Sequence, residues 1–152
     1  MLKSENLSLY AINKSIALFA ILNFGVYVML FMLFRSLNVL DQSGLRMINY
    51  ITLGIICCYQ VNWWAKKGGS QSPFLQSFGM AFFTGTLSFL FFAVFIYIYS
   101  MTDPYFAEFY FSGDSGTMNM IPFILIFFKG SSSSIIIGLI TMMYSEKFKD
   151  EG

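Results

Sequence analysis

The chain has 152 residues, 57% of them apolar and 11% charged, with a formal net charge of +1 and no histidine. A single domain of this length cannot hide that much apolar surface in its own core, so the composition points away from a water-soluble fold and toward lipid as solvent. The near-neutral charge excludes an electrostatic case for nucleic acid, and the missing histidine removes the commonest metal ligand and general base.

In chain order, residues 1–13 carry Lys3, Glu5 and Asn6 and read as a short interfacial or frayed tail. The apolar run that follows is too long for a signal-peptide core and lacks a small-residue cleavage pattern, so it reads as a retained span. Span one is placed at 16–34, nineteen residues or about 28 Å of helix, close to the hydrocarbon thickness. Asn23 lies near its middle. It either hydrogen-bonds a neighbouring helix or touches a solute.

A polar connection from Arg35 to Gly44, with a Ser43-Gly44 turn signal, leads to span two at 45–64. Cys57 and Cys58 are adjacent within it, lack CxxC spacing and read as small apolar fillers. Trp63 and Trp64 before Lys66 and Lys67 make an aromatic-then-basic interfacial belt.

Gly68 to Pro73 breaks the helix, and Pro73 suits the first turn of the next one. Phe74, Leu75 and Phe78 form an amphipathic lead-in to span three at 79–99. Ser77, Ala81 and Gly85 recur every four residues, a small-residue stripe that admits another helix closely.

The segment 101–120 holds Asp103, Glu108 and Asp114, no Lys or Arg, and five aromatics from Tyr105 to Phe111. It is expected to form a short helix in the headgroup region. Asp103-Pro104 reads as a helix cap followed by proline at the first position, or as a headgroup or ion contact.

Span four is placed at 121–144, and 145–152 reads as a charged, solvated tail. Lys129 is the chemical oddity of this span. On a helical wheel it shares a face with Ser132, Ser133, Ile136 and Ile140, whereas Gly130, Ser134, Gly138 and Thr141 form a second, small-residue packing face. Three readings of Lys129 stand: it snorkels to the headgroups, lines a polar groove with the serines and Asn23, or pairs with Asp103, Glu108 or Asp114. Ser133 lies one turn after Lys129, but a serine–lysine dyad would lack an acidic orienter and an oxyanion site, so no catalytic residue is assigned. No metal or cofactor site is assigned either.

The expected fold is all-α: an integral membrane four-helix bundle with a short interfacial helix between spans three and four. Six lysines (Lys3, Lys14, Lys66, Lys67, Lys147, Lys149) fall on one side and Arg35 with Arg46 on the other, which puts both termini in the cytoplasm.

Over most of its length the chain resembles the small bacterial membrane proteins grouped as domain of unknown function 4199, mostly from Bacteroidota. The residues that carry the resemblance are Gly68-Gly69 after Lys66-Lys67, then Phe74, Ser77-Phe78, Ala81 and Gly85, Asp103-Pro104, and Gly138-Leu139-Ile140 before the basic tail. The family's segment after Asp-Pro is longer and strongly charged, whereas here it is short and aromatic. The resemblance implies four spans in the bacterial inner membrane and brings no reaction.

The function expected from these features is a non-catalytic accessory or scaffold protein. Its partners would be membrane lipids and either further copies of itself, as a homo-oligomer, or a larger membrane complex. The alternative is an oligomeric small-solute or ion permeation protein using a groove lined by Lys129 and the serines.

Overall fold

The computed structural model of the chain describes residues 2–40, 43–66, 73–106 and 121–147. Four long helices account for nearly all of them: α1 (Leu2–Ser36), α2 (Ser43–Lys66), α3 (Pro73–Thr102) and α4 (Ile121–Lys147). They form an all-helical bundle with no strand among the described residues. In a lipid solvent this is the expected solution, because a helix satisfies its backbone polar groups internally.

Several boundaries differ from the sequence expectation. The tail 1–13 is not frayed: α1 runs without a break from Leu2, and no proline or glycine interrupts it before Gly25. The Ser43-Gly44 pair lies inside the first turn of α2 rather than in a turn. The lead-in 74–78 and the span after it are one helix that begins at Pro73 and reaches Thr102. Helix α4 continues past Tyr144 to Lys147. The interfacial helix expected over 101–120 is described only in its first turn, 104–106; its remainder, like 67–72 and 148–152, lies outside the described residues.

α2 and α3 form the middle of the bundle, and α1 and α4 flank them on opposite sides. α3 packs most extensively on α4 and next on α1. The bundle buries a set of polar side chains beside an aromatic core and is apolar outside. Asn23, Gln60, Thr84, Ser88, Ser134 and Thr141 are buried, while Leu18, Ile21, Met29, Ile55, Ile98 and Ile136 are exposed. Water would penalise that outer surface and lipid would not. Three helical stretches are long and apolar enough to cross a membrane on their own: Tyr10–Ser36, Leu75–Thr102 and Phe123–Thr141. α2 falls short of that measure. The chain is therefore a multi-pass helical membrane protein.

Helix α1 ends in a backbone motif that its sequence explains. Asn38 has a φ of 54°, the left-handed region that asparagine tolerates better than most side chains. Val39 N–H donates to the Phe34 carbonyl and Asn38 N–H to the Arg35 carbonyl, the paired bonds of a Schellman cap.

Candidate functional site: the polar interior and the outward face of α4

The small-residue stripes of α3 and α4 meet at Gly85 and Ser134. Ser77, Ala81 and Gly85 are buried, as are Gly130, Ser134 and Gly138. A Cβ on Gly85 would run into the Ser134 side chain, and one on Gly130 would enter the Phe89 ring. A Cβ on Gly138 would come within 3.1 Å of the Phe78 ring. Glycine at these points lets α3 and α4 approach closely, and Phe89 and Phe78 fill the space this leaves. The stripes thus pack within one chain. Ser134 Oγ turns inward onto its own helix and donates to the Gly130 carbonyl at 2.8 Å.

Lys129 is placed on the opposite side of α4. It is exposed, as are Phe128, Ser132, Ile136 and Ile140 around it, and Ser133 is half-exposed. The two serine hydroxyls donate to the Phe128 and Lys129 carbonyls, each at 2.9 Å. Hydroxyls committed to the preceding turn have no proton left for an external anion. Nothing in this arrangement brings Lys129, Ser132 and Ser133 together with Asn23, which is fully buried in α1. A cleft of about 440 Å³ does open between α3 and α4, but Leu90, Val94, Tyr97, Phe123, Ile124 and Phe128 line it, and neither Lys129 nor a serine does.

Asp103 is engaged elsewhere. Its Oδ2 accepts from the Arg35 guanidinium at 2.7 Å and from the Tyr99 hydroxyl at 3.4 Å, and its Oδ1 accepts from Phe106 N–H at 3.1 Å. The last bond is the N-cap expected for Asp103-Pro104. The same carboxylate ties the end of α1 to the end of α3. Arg35 lies 5.9 Å from the ring centroids of both Tyr105 and Phe106, and Phe31 packs edge-on to Phe106 and Tyr99 just beneath. The Phe106 N–H, together with the Arg35 charge, holds the Asp103 carboxyl below the usual aspartate range. Glu108 and Asp114 lie outside the described residues.

The polar interior lies between α1, α2 and α3, and its main members carry no motif in the sequence. Gln60 Nε2 donates to Ser15 Oγ at 3.4 Å, and Thr84 Oγ1 donates to Gln60 Oε1 at 2.9 Å. One turn on, Ser88 Oγ lies 3.2 Å from the Ala20 carbonyl and 2.7 Å from that of Thr84. The cross-helix amide bonds expected of Asn23 are thus made by Gln60. One signal was available: Thr84 and Ser88 extend the Ser77–Ala81 stripe along the same face of α3. Cys57 and Cys58 are free thiols, and Cys57 lies 3.8 Å from the Ala81 carbonyl as a weak donor between α2 and α3.

The class of protein defined here is a helical, multi-pass membrane protein with buried polar side chains beside its core and an outward-facing lysine, Lys129, within an apolar helix. No family model, curated protein or solved structure matches the chain.

Proposed function

We propose that this protein is a non-catalytic, four-span accessory or scaffold subunit of the bacterial inner membrane, with both termini in the cytoplasm, that packs against further copies of itself or a larger membrane complex. The outward face of α4 carries this reading. Lys129 is exposed there among Phe128, Ile136 and Ile140, and Asp103, one of the three acids considered as its partner, is held by Arg35. A lysine at this position calls for something outside the described bundle, either the headgroup layer or an acid on a neighbouring helix.

Support for a fourth span comes from the pattern of α2. Its 24 residues extend about 36 Å, enough to cross a bilayer. Met47, Ile51, Ile55 and Tyr59 recur every four residues and are exposed, while Gln60 is buried against Ser15 and Thr84. The polar residues that lower its hydropathy therefore include one that lipid never meets. The resemblance to domain of unknown function 4199 belongs to the same proposal, since it implies four inner-membrane spans and no reaction.

The test is purification of the tagged full chain from its own membrane in mild detergent, after crosslinking. A discrete oligomer or a co-purifying membrane protein is expected, weakened by Lys129→Met. A lone monomer both in detergent and after crosslinking in vivo overturns the proposal. The permeation alternative would need copies to meet at this face, where Lys129 and Ser132 are exposed. Solute flux in sealed vesicles that drops for Lys129→Met would favour it.

A further inference from the structure

The polar file inside the bundle contains two side chains that its protein neighbours leave unpartnered. Asn23 and Tyr27 are both fully buried. Neither Oδ1 nor Nδ2 of Asn23, nor the Tyr27 hydroxyl, meets a protein group in hydrogen-bond geometry. They stand four residues apart on α1 and so project from one face. The Tyr27 hydroxyl comes within side-chain hydrogen-bonding reach of Asn23 without meeting full hydrogen-bond geometry, and Cys57 and Tyr50 from α2 are within electrostatic reach. Its ring lies 5.1 Å from that of Phe89 and 5.5 Å from that of Phe92, so α3 closes the third side.

Chemistry restricts what can satisfy this pair. A carboxamide offers two donors and an acceptor oxygen, and a phenol offers one donor and an acceptor. Leaving all of them dry at the depth of the hydrocarbon layer is heavily penalised. One turn away the penalty is avoided by direct bonds: Gln60 to Ser15, Thr84 to Gln60, and Ser88 to backbone. At Asn23 and Tyr27 the nearby polar groups, Cys57 and Tyr50, do not meet the amide or the hydroxyl in hydrogen-bond geometry. No Asp or Glu occurs in α1 beyond Glu5, in α2 or in α3, so no carboxylate of these helices is positioned to balance a cation here. A neutral molecule with both donor and acceptor capacity fits. A buried water typically makes about three hydrogen bonds, and Asn23 Oδ1, Asn23 Nδ2 and the Tyr27 hydroxyl supply three partners.

We propose that Asn23 and Tyr27 form an internal water site between α1, α2 and α3, in which water bridges the amide and the hydroxyl. The site continues the file Ser15–Gln60–Thr84–Ser88 toward mid-bundle, and Phe31, Phe92 and Phe106 close it on the Arg35 side.

Solid-state NMR of the full chain in lipid bilayers, with asparagine labelled by nitrogen-15, tests this. Magnetisation is transferred from water protons to side-chain amides, and the Asn23 signal is identified by its loss in Asn23→Leu. The expected result is direct water transfer to the Asn23 amide that falls several-fold in Tyr27→Phe. An Asn23 amide that receives nothing from water in the wild-type chain overturns the proposal, and this measurement needs no variant beyond the assignment. Transfer that keeps its full strength in Tyr27→Phe overturns the shared site as well. Thermal melts give a second reading. If one water serves both groups, the double variant Asn23→Leu with Tyr27→Phe melts no lower than the worse single variant. Strictly additive losses overturn it.

Discussion

Asn38 shows how much one backbone angle explains. Its φ of 54° closes the Schellman cap of α1, and only glycine and a few short polar side chains occupy that region cheaply. Asn38→Val is expected to destabilise the protein by about 1–2 kcal/mol, because a β-branched side chain crowds the left-handed conformation. Asn38→Gly should leave thermal stability unchanged or slightly raised, and melts of both variants in detergent would show the contrast. Asp103 sets the pH response at the same end of the bundle. Its folded-state pKa lies below the ordinary aspartate value, so the unfolded chain binds the proton more readily. The stabilisation from its contacts is therefore complete above the ordinary aspartate range and is lost as pH falls through the depressed folded value. Asp103→Asn should flatten the acid limb of a stability–pH profile, and an unchanged limb would count against the assignment. The cap was legible from Asp103-Pro104 alone, since capping is local. The Arg35 partner was not, because the two residues are 68 positions apart and only tertiary packing joins them.

The packing of α3 on α4 makes glycine positions unequal in a testable way. Gly85 and Gly130 have no room for a Cβ, whereas nothing stands within 4 Å of the Cβ position of Gly25, Gly54 or Gly79. Gly85→Ala and Gly130→Ala should each cost about 1–3 kcal/mol, the usual range for overpacking a filled contact. Gly25→Ala should be neutral or mildly stabilising, since alanine favours helix over glycine by about 0.8–1.0 kcal/mol. Equal effects at all three sites in detergent unfolding would contradict the close approach of the two helices. Helical periodicity alone separates the Gly130–Ser134–Gly138 face of α4 from the Lys129 face, because that division needs only 100° per residue. A wheel has no second helix in it, however. It could not say that the α4 stripe meets Gly85, Phe89 and Phe78 of its own α3 rather than a second copy. Nor could it say that Gln60, rather than Asn62 two residues on, would be the residue that joins three helices.

The layout of the bundle, with several amides and hydroxyls buried beside an aromatic core and aliphatic side chains outside, decides how α2 is best understood. Judged by its residues in isolation it is the least apolar of the four helices. Judged by what faces outward it presents Met47, Ile51, Ile55 and Tyr59, the stripe a lipid-facing helix needs. Gln60 meets Ser15 of α1 and Thr84 of α3 instead of lipid, so the cost of inserting α2 is lowered by its neighbours. If α2 crosses, residue 37, before α2, and residue 70, after it, lie on opposite faces of the membrane. If α2 rests at the surface, they lie on the same face. Leu37→Cys and Ser70→Cys distinguish the two with a thiol reagent that cannot cross the bilayer, on a background in which Cys57 and Cys58 are replaced by alanine. Labelling of Leu37→Cys from the outside of intact cells, with Ser70→Cys labelled only after the membrane is opened, is expected. Labelling of both from one side would remove the fourth span and with it the cytoplasmic placement of both termini. Gln60→Leu sharpens the test. It makes α2 more apolar but breaks its bonds to α1 and α3, so a span held by its neighbours keeps its topology and loses thermal stability.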